Sequence, residues 1–218
     1  MEQEDYEGKV VGDAPRLILA SDGVTVIAGM NMTGKTRLLS EVGDIAASEG
    51  ATVVSWSPRT GCTASDPADV GGRSCPGFWD AAGPVLATVP RNSPPSGADL
   101  FTAVCGRLSD GTLRDGSVLI LDCPESGLHP AWIGPLSRAL TSLAAEVGVR
   151  VVLTTHSPHL MMCLEHVTSV QGVPIAFLHL LRGEDGTVAV YDVSGDPVPI
   201  YNEFSIPITE AASAFWDY

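Results

Sequence analysis

The fold is decided by the segment from Val24 to Ala46, in which the run VTVIA is followed directly by the loop GMNMTGKT. The run is apolar, which is typical of a buried strand. The loop matches GxxxxGK[ST], in which glycines bring backbone N–H groups against phosphate oxygens, lysine reaches the terminal phosphates and threonine offers a hydroxyl to Mg²⁺. After the loop, apolar residues recur at the spacing of one helix face: Leu38, Leu39, Val42, Ile45 and Ala46. The segment therefore predicts a phosphate-binding loop between a strand and a helix N-terminus.

This prediction makes the loop and the first helical residues candidates for binding a nucleotide. The alternative interpretation is a glycine-rich turn that binds nothing, and the strand before the loop and the helix after it argue against that alternative. The candidates are Gly29, Met30, Asn31, Met32, Thr33, Gly34, Lys35, Thr36 and Arg37.

Length and charge restrict the class of protein. A chain of 218 residues is long enough to bury a core as one domain without help from disulfides. The formal net charge is −14, and the only lysines are Lys9 and Lys35. Such acidity repels a phosphate backbone and offers no polybasic segment to a membrane, so direct nucleic-acid binding is disfavoured, although a local basic patch stays possible.

The cysteines and the hydropathy pattern indicate a compartment. Five cysteines with no CxxC pair are typical of reduced thiols in a cytosol. We find no signal peptide and no apolar run near the ~20 residues that a membrane helix needs. The sequence therefore predicts a soluble cytoplasmic protein without membrane insertion.

Composition also predicts the organisation of the chain. Residues 1–16 are expected to form a mobile lead-in, and residues 17–218 a single domain that opens with an edge strand at Leu17-Ile18-Leu19. Residues 57–97 are dense in Pro, Gly, Ser, Asp and Thr, which predicts an irregular insertion with at most short elements. A helix is expected over residues 98–108, and residues 175–193 read as a hairpin that closes one sheet edge.

A second informative segment, SVLILDCPESGLHP, covers residues 117–130. Its apolar strand ends on Asp122, and a buried strand that ends in Asp beside a phosphate loop is the arrangement that orients Mg²⁺. Taken alone, the same pattern fits a buried strand with an exposed end. Further along, the run VVLTT leads to His156, which is either an ordinary hydrogen-bonded histidine or part of the site where strand ends meet. A helix that Gly148 ends is expected between the two strands.

The order GMNMTGKT, LILDCPESGLHP, VVLTTHSPHLM resembles the ABC-type ATPases of DNA repair, chromosome maintenance and prokaryotic defence, in particular small bacterial ATP-binding proteins of that kind. The resemblance covers roughly residues 17–195. It implies an α/β P-loop NTPase fold with a mostly parallel central sheet flanked by helices. It also implies that Lys35 and Thr36 hold ATP and Mg²⁺, that Asp122 supports Mg²⁺, and that His156 senses the γ-phosphate.

The same resemblance implies a serine-glycine signature about two dozen residues before the Asp, which contacts the nucleotide of the opposite subunit. Ser96-Gly97 is the candidate, since Ser96 lies 26 residues before Asp122 (122 − 96) and heads the expected helix. Its helix N-terminus suits a γ-phosphate. The alternative is a simple helix cap after two prolines.

The departures from the family pattern concern hydrolysis. Cys123 stands where the family places its catalytic glutamate, and a thiol is a poor substitute for a carboxylate base. Glu125 is an alternative base, although its position belongs to the loop that faces the second subunit in the family. No glutamine occurs between Thr36 and Asp122, and the insertion has no long coiled-coil arms.

Two functions remain open at this point. One is an ATPase with low turnover that forms a dimer, or a complex with another protein, around sandwiched ATP. The other is a catalytically impaired module that uses ATP to hold a protein partner. Cys123 favours the second, whereas the loop, Asp122 and His156 favour the first.

Overall fold

The computed structural model describes residues 9–64, 75–88, 99–183 and 185–206. Its strands within these ranges are β1 (Lys9–Val10), β2 (Val24–Ala28), β3 (Val53–Ser57), β4 (Gly61–Ala64), β5 (Val118–Asp122), β6 (Arg150–Thr155), β7 (Ile175–Arg182) and β8 (Val188–Asp192). The helices are α1 (Ala14–Ala20), α2 (Lys35–Ser48), α3 (Pro76–Thr88), α4 (Asp99–Ser109), α5 (Ile133–Ser142), α6 (Pro158–Gln171) and α7 (residues 198–206). A 3₁₀ turn at Pro130–Trp132 precedes α5, and a π-helical segment at Leu143–Val147 continues it to Gly148.

The strands form one sheet in the order β1-β8-β7-β2-β6-β5-β3-β4. Strands β7, β2, β6, β5 and β3 are parallel, and β1, β8 and β4 pair antiparallel at the two sides. This confirms the predicted α/β fold with a mostly parallel central sheet. Parallel strands place their carboxyl ends at one edge of the sheet. In register, Ala28 faces Thr155 on one side and His179 on the other, and Asp122 faces Thr154.

Both faces of the sheet are covered, which explains why its central strands are continuously apolar. Alternate residues of β2 enter two separate cores, with Val26 in one and Ile27 in the other. Helices α3, α4, α5 and α6 supply the larger core, while α1 and α2 supply the smaller one. No helix in the described ranges combines the length and the apolar character required to cross a membrane.

Two sequence expectations about local structure were wrong. Residues 17–19 do not form an edge strand, because they lie in α1, which Asp13 caps by accepting a hydrogen bond from the Arg16 backbone N–H at 3.2 Å. Ala14 and Ile18 fall on one face at helical spacing and are buried. The outer strand on that side is β1, which pairs with β8 beyond the confirmed β7–β8 hairpin.

The segment 57–97 is more regular than its composition suggests. It contains β4 and the 13-residue helix α3. The buried residues of α3 recur at helical spacing: Phe78, Ala81, Ala82 and Val85. Near the start of the helix, Glu146 accepts a hydrogen bond from the Gly77 backbone N–H at 3.1 Å. Proline in the first turn is compatible with a helix, so Pro76 marks the start of α3 and not a loop.

Candidate nucleotide-binding site

The loop between β2 and α2 has the conformation that its glycines require. Gly29 has φ +145°, and a Cβ atom built there would lie 2.4 Å from the carbonyl oxygen of Leu180 on β7. Gly34 has φ +85° and is the residue before the first turn of α2. Because side chains are strained or excluded at both positions, this close-fitting loop depends on glycine. The first N–H groups of a helix have no partner inside the helix, so the start of α2 directly after this loop offers donors to an anion.

Lys35 closes over this loop. Its side chain is 7% exposed, and its Nζ donates to the carbonyl oxygens of Gly29 and Met30, both at 2.7 Å. Burial lowers the pKa of Lys35, while the charge of Asp122 acts in the opposite direction. The ammonium group is thus held by loop carbonyls that phosphate oxygens of a nucleotide would have to replace.

Asp122 joins the loop to the neighbouring strands. The Thr36 hydroxyl donates to Asp122 Oδ2 at 3.0 Å, and the Thr154 hydroxyl donates to Asp122 Oδ1 at 2.6 Å. A hydroxyl and a carboxylate oxygen side by side are hard donors that suit Mg²⁺. Among the described residues there is no group of three His, Cys, Asp or Glu side chains that would hold a metal alone. The donor set fits Mg²⁺ that is bound together with phosphate oxygens.

Cys123 follows Asp122 in a left-handed backbone conformation, with φ +49°. Its backbone N–H lies 3.0 Å from the Thr154 hydroxyl oxygen, and its Sγ is 3.7 Å from the same atom. The pKa of the Cys123 thiol is raised to about 11, chiefly by burial, and the charges of Glu125 and Asp122 act in the same direction while the hydrogen bond with Thr154 opposes them. The raised pKa agrees with the expectation that this thiol is a poor substitute for a carboxylate base. The thiol is therefore neutral near pH 7.

Glu125 reaches from the loop after β5 to the end of β6. Its Oε1 accepts hydrogen bonds from the Thr155 hydroxyl at 2.6 Å and from the His156 backbone N–H at 3.2 Å. Its Oε2 is buried and has no hydrogen-bond partner in the part of the chain that the structure describes. Burial raises the pKa of Glu125, and the hydrogen bond from Thr155 opposes that shift.

His156 contacts helix α7. The rings of His156 and Phe204 lie edge to face, with centroids 5.9 Å apart and an angle of 86°. Burial and the charge of Lys35 lower the pKa of His156, while Asp122 and Glu203 oppose the shift. Glu203 lies 2.6 Å from the buried His179 ring. The C-terminal helix thus borders the site.

The structure brings Lys35, Thr36, Asp122, Cys123, Glu125 and His156 together at the carboxyl edge of the sheet. Arg37 points away, since its side chain is 86% exposed and pairs with Glu41 at 2.9 Å. Asn31 and Met32 are exposed, and Thr33 donates to the Met30 carbonyl oxygen at 2.9 Å. Ser96 and Gly97 lie outside the described residues.

Three functional candidates were missed by the sequence argument. Thr154 and Thr155 stood directly before His156, so their position in the TTHSP run was an available signal. Phe204 belongs to no motif, and only the packing of α7 places it against His156.

The comparisons with known proteins agree with this geometry. Residues 93–162 match the family model described as "AAA domain, putative AbiEii toxin, Type IV TA system", and this range contains Asp122 and His156. The solved structure "RNase-L Inhibitor" superposes with a TM-score of 0.50 at 14% identity, covering 84% of this chain and 37% of that one. The chain has an ABC/AAA-type P-loop ATPase fold.

The chain spans a little over a third of the length of the RNase-L Inhibitor chain. A structure titled "DNA replication initiation factor" gives a TM-score of 0.39 at 14% identity, over 94% of this chain and 48% of that one. No curated protein matches the sequence significantly.

Proposed function

We propose that this chain is an ABC-type ATPase domain that binds ATP with Mg²⁺, hydrolyses it slowly and forms an ATP-sandwiched dimer or a complex with another protein in the cytoplasm. The observation that carries this proposal is the geometry around Thr36. A phosphate loop, its lysine and the Thr36–Asp122 hydrogen bond of 3.0 Å meet at the carboxyl edge of a parallel sheet.

Different groups of the chain would bind different parts of a triphosphate. The N-terminus of α2 offers backbone N–H groups to phosphate oxygens, and Lys35 exchanges its bonds to Gly29 and Met30 for bonds to the terminal phosphates. Thr36 and Asp122 would hold Mg²⁺, which supplies charge neutralisation on the phosphates when it is bound. The charge of Lys35 lowers the pKa of His156, so the two side chains are close enough to interact. His156 would sense the γ-phosphate from this position.

Slow hydrolysis follows from the environment of Cys123. A positioned carboxylate that takes a proton from water typically contributes ~10²- to 10⁴-fold to a rate. A buried thiol with a pKa near 11 is neutral and contributes little of this. The alternative function, a catalytically impaired module that holds a partner when ATP is bound, is favoured by the same observation.

Calorimetry tests ATP binding. The wild type should bind ATP in the presence of Mg²⁺, and Lys35→Ala should weaken binding by roughly 10- to 150-fold, because hydrogen bonds to charged groups contribute about 1.5–3 kcal/mol. The matched control is Lys9→Ala, since Lys9 lies in the outer strand β1 and is exposed. Circular dichroism verifies that the variants fold. Equal heats from the wild type and Lys35→Ala would contradict the phosphate-loop proposal.

Two further measurements separate the functions. Light scattering with a non-hydrolysable ATP analogue should show a larger mass than the nucleotide-free protein, and an unchanged mass would remove the homodimer model. Phosphate release above the Lys35→Ala background would favour the ATPase over the impaired module.

A further inference from the structure

Two carboxylates follow the end of β5, and each is held by a different threonine of β6. The Thr154 hydroxyl donates to Asp122 Oδ1, and the Thr155 hydroxyl donates to Glu125 Oε1, both at 2.6 Å. Because successive residues of a strand point to opposite faces, adjacent threonines present their hydroxyls on opposite sides. The pair therefore holds two carboxylates in two distinct positions.

The two carboxylates differ in how completely they are bonded. Both oxygens of Asp122 accept hydrogen bonds, Oδ1 from Thr154 and Oδ2 from Thr36. Glu125 accepts only through Oε1, and its buried Oε2 receives no hydrogen bond from the described residues. Leaving a buried acceptor unsatisfied is costly, so such an atom in a folded protein calls for an explanation.

We propose that Glu125 supplies the carboxylate that Cys123 lacks, and that Thr155 is the positioning residue that holds it for hydrolysis. This inference rests on the proposed ATPase function. Thr155 and the His156 N–H fix Oε1, which leaves Oε2 as the proton acceptor.

The step is a hydrolysis in which all atoms and electrons are accounted for. The oxygen of water forms a bond to the γ-phosphorus, and the bond between that phosphorus and the β–γ bridging oxygen breaks, so ADP leaves with the electron pair. The water proton passes to Glu125 Oε2 and is later returned to solvent. Asp122 is not available for this step, because both of its oxygens are bonded to hydroxyls at the metal side of the site.

The environment of Glu125 fits this role. Its pKa is raised by burial, which makes its carboxylate a stronger proton acceptor than an exposed glutamate. Its hydrogen bond to the His156 N–H links the acceptor to the residue that is proposed to sense the γ-phosphate. Because Oε2 is buried, water reaches it only after a local shift of the segment that carries Glu125, which is consistent with slow turnover.

The test measures single-turnover hydrolysis of Mg²⁺ and ATP, with ATP affinity measured separately by calorimetry. Glu125→Gln should lower the rate at least ~10-fold while the affinity changes less than about threefold. Thr155→Val should lower it about threefold or more, since Glu125 Oε1 loses the hydrogen bond that the Thr155 hydroxyl donates at 2.6 Å.

The controls are a second glutamate and a second buried threonine away from the site. Glu146→Gln alters a carboxylate that accepts from the Gly77 N–H, and Thr141→Val alters a hydroxyl that donates to the Ser137 carbonyl oxygen. Both should hydrolyse ATP like the wild type.

A rescue variant separates a catalytic role from a structural one. Adding Cys123→Glu to Glu125→Gln places a carboxylate directly after Asp122, so hydrolysis should return. If Glu125 only held the segment after β5 in place, the double variant should hydrolyse ATP more slowly than Cys123→Glu alone, whereas a proton-accepting role predicts equal rates for those two variants.

Each remaining outcome is decisive. If the protein binds ATP and Glu125→Gln hydrolyses it like the wild type, or if the wild type does not exceed the Lys35→Ala background, the inference about Glu125 is wrong while ATP binding stands. If the wild type does not bind ATP at all, the proposed function fails, and the inference fails with it.

Discussion

The two halves of the site differ in how they are built. The half formed by β2, the phosphate loop and α2 is contiguous in sequence and depends on glycine conformation and on Lys35. The other half collects Asp122, Glu125, Thr155, His156 and Phe204 from β5, β6 and α7. The first half retains every residue type that its motif needs, whereas the second has a thiol next to Asp122. The residues proposed to bind ATP are therefore encoded locally, whereas the proposed hydrolysis depends on contacts between distant segments.

The largest effect is expected from a substitution that restores a carboxylate next to Asp122 in the second half of the site. Cys123→Glu should raise steady-state phosphate release by roughly 10²-fold, because a carboxylate replaces a thiol that burial keeps neutral. The φ of +49° is no more demanding for Glu than for Cys, since both carry a Cβ atom. Phosphate release by the wild type and the variant measures the effect, with Cys163→Glu on α6 as the control. An unchanged rate would show that the thiol at Cys123 is not what limits hydrolysis.

The contrast also explains what the sequence could predict. The strands 118–122 and 150–155 could be predicted because they are local apolar runs, and the loop between β2 and α2 because its motif is local. Helix α3 was missed because its glycines and prolines masked the spacing of Phe78, Ala82 and Val85, and because the helix packs mainly against α5, which is distant in sequence. The bond from Thr155 to Glu125 joins residues 30 positions apart, and no local pattern encodes it.

The second prediction tests the protonation of Cys123 directly. Its pKa of about 11 means that the thiolate fraction, and with it the alkylation rate, should rise about tenfold per pH unit from pH 7 to pH 9 without a plateau. Iodoacetamide labelling followed by mass spectrometry measures this rate. The chain unfolded in urea is the reference, because the thiolate fraction of an ordinary cysteine with a pKa near 8.5 rises only about threefold between pH 8 and pH 9. A plateau below pH 9 in the folded protein would contradict the neutral thiol.

The third prediction concerns the link between the two halves. Thr154 is buried, and its hydroxyl holds Asp122 Oδ1 while Oδ2 faces Thr36. Thr154→Val should weaken ATP binding about fivefold when Mg²⁺ is present, which corresponds to the loss of one hydrogen bond of about 1 kcal/mol. Binding in EDTA should change less, because Asp122 acts through the metal. Calorimetry in both conditions decides this, and an equal loss with and without Mg²⁺ would show a general destabilisation.

The smallest expected effect is at helix α7, where Phe204 packs edge to face on His156. Aromatic pairs of this kind contribute about 0.5–1.5 kcal/mol, so Phe204→Ala should lower phosphate release about threefold by loosening the His156 ring. The pKa of His156 should rise toward its ordinary value, because burial is the main cause of its depression and the variant exposes the ring.

An NMR titration of the histidine ring protons measures this pKa, and the phosphate assay measures the rate. Ile206→Ala is the matched control, since Ile206 lies on the same helix and is 50% exposed. A fall in rate with no change in the His156 pKa would mean that α7 acts on hydrolysis by another contact, such as Glu203. If neither the rate nor the pKa changes, the packing of Phe204 on His156 does not contribute to hydrolysis. The second half of the site would then consist of the residues from β5 and β6 without α7.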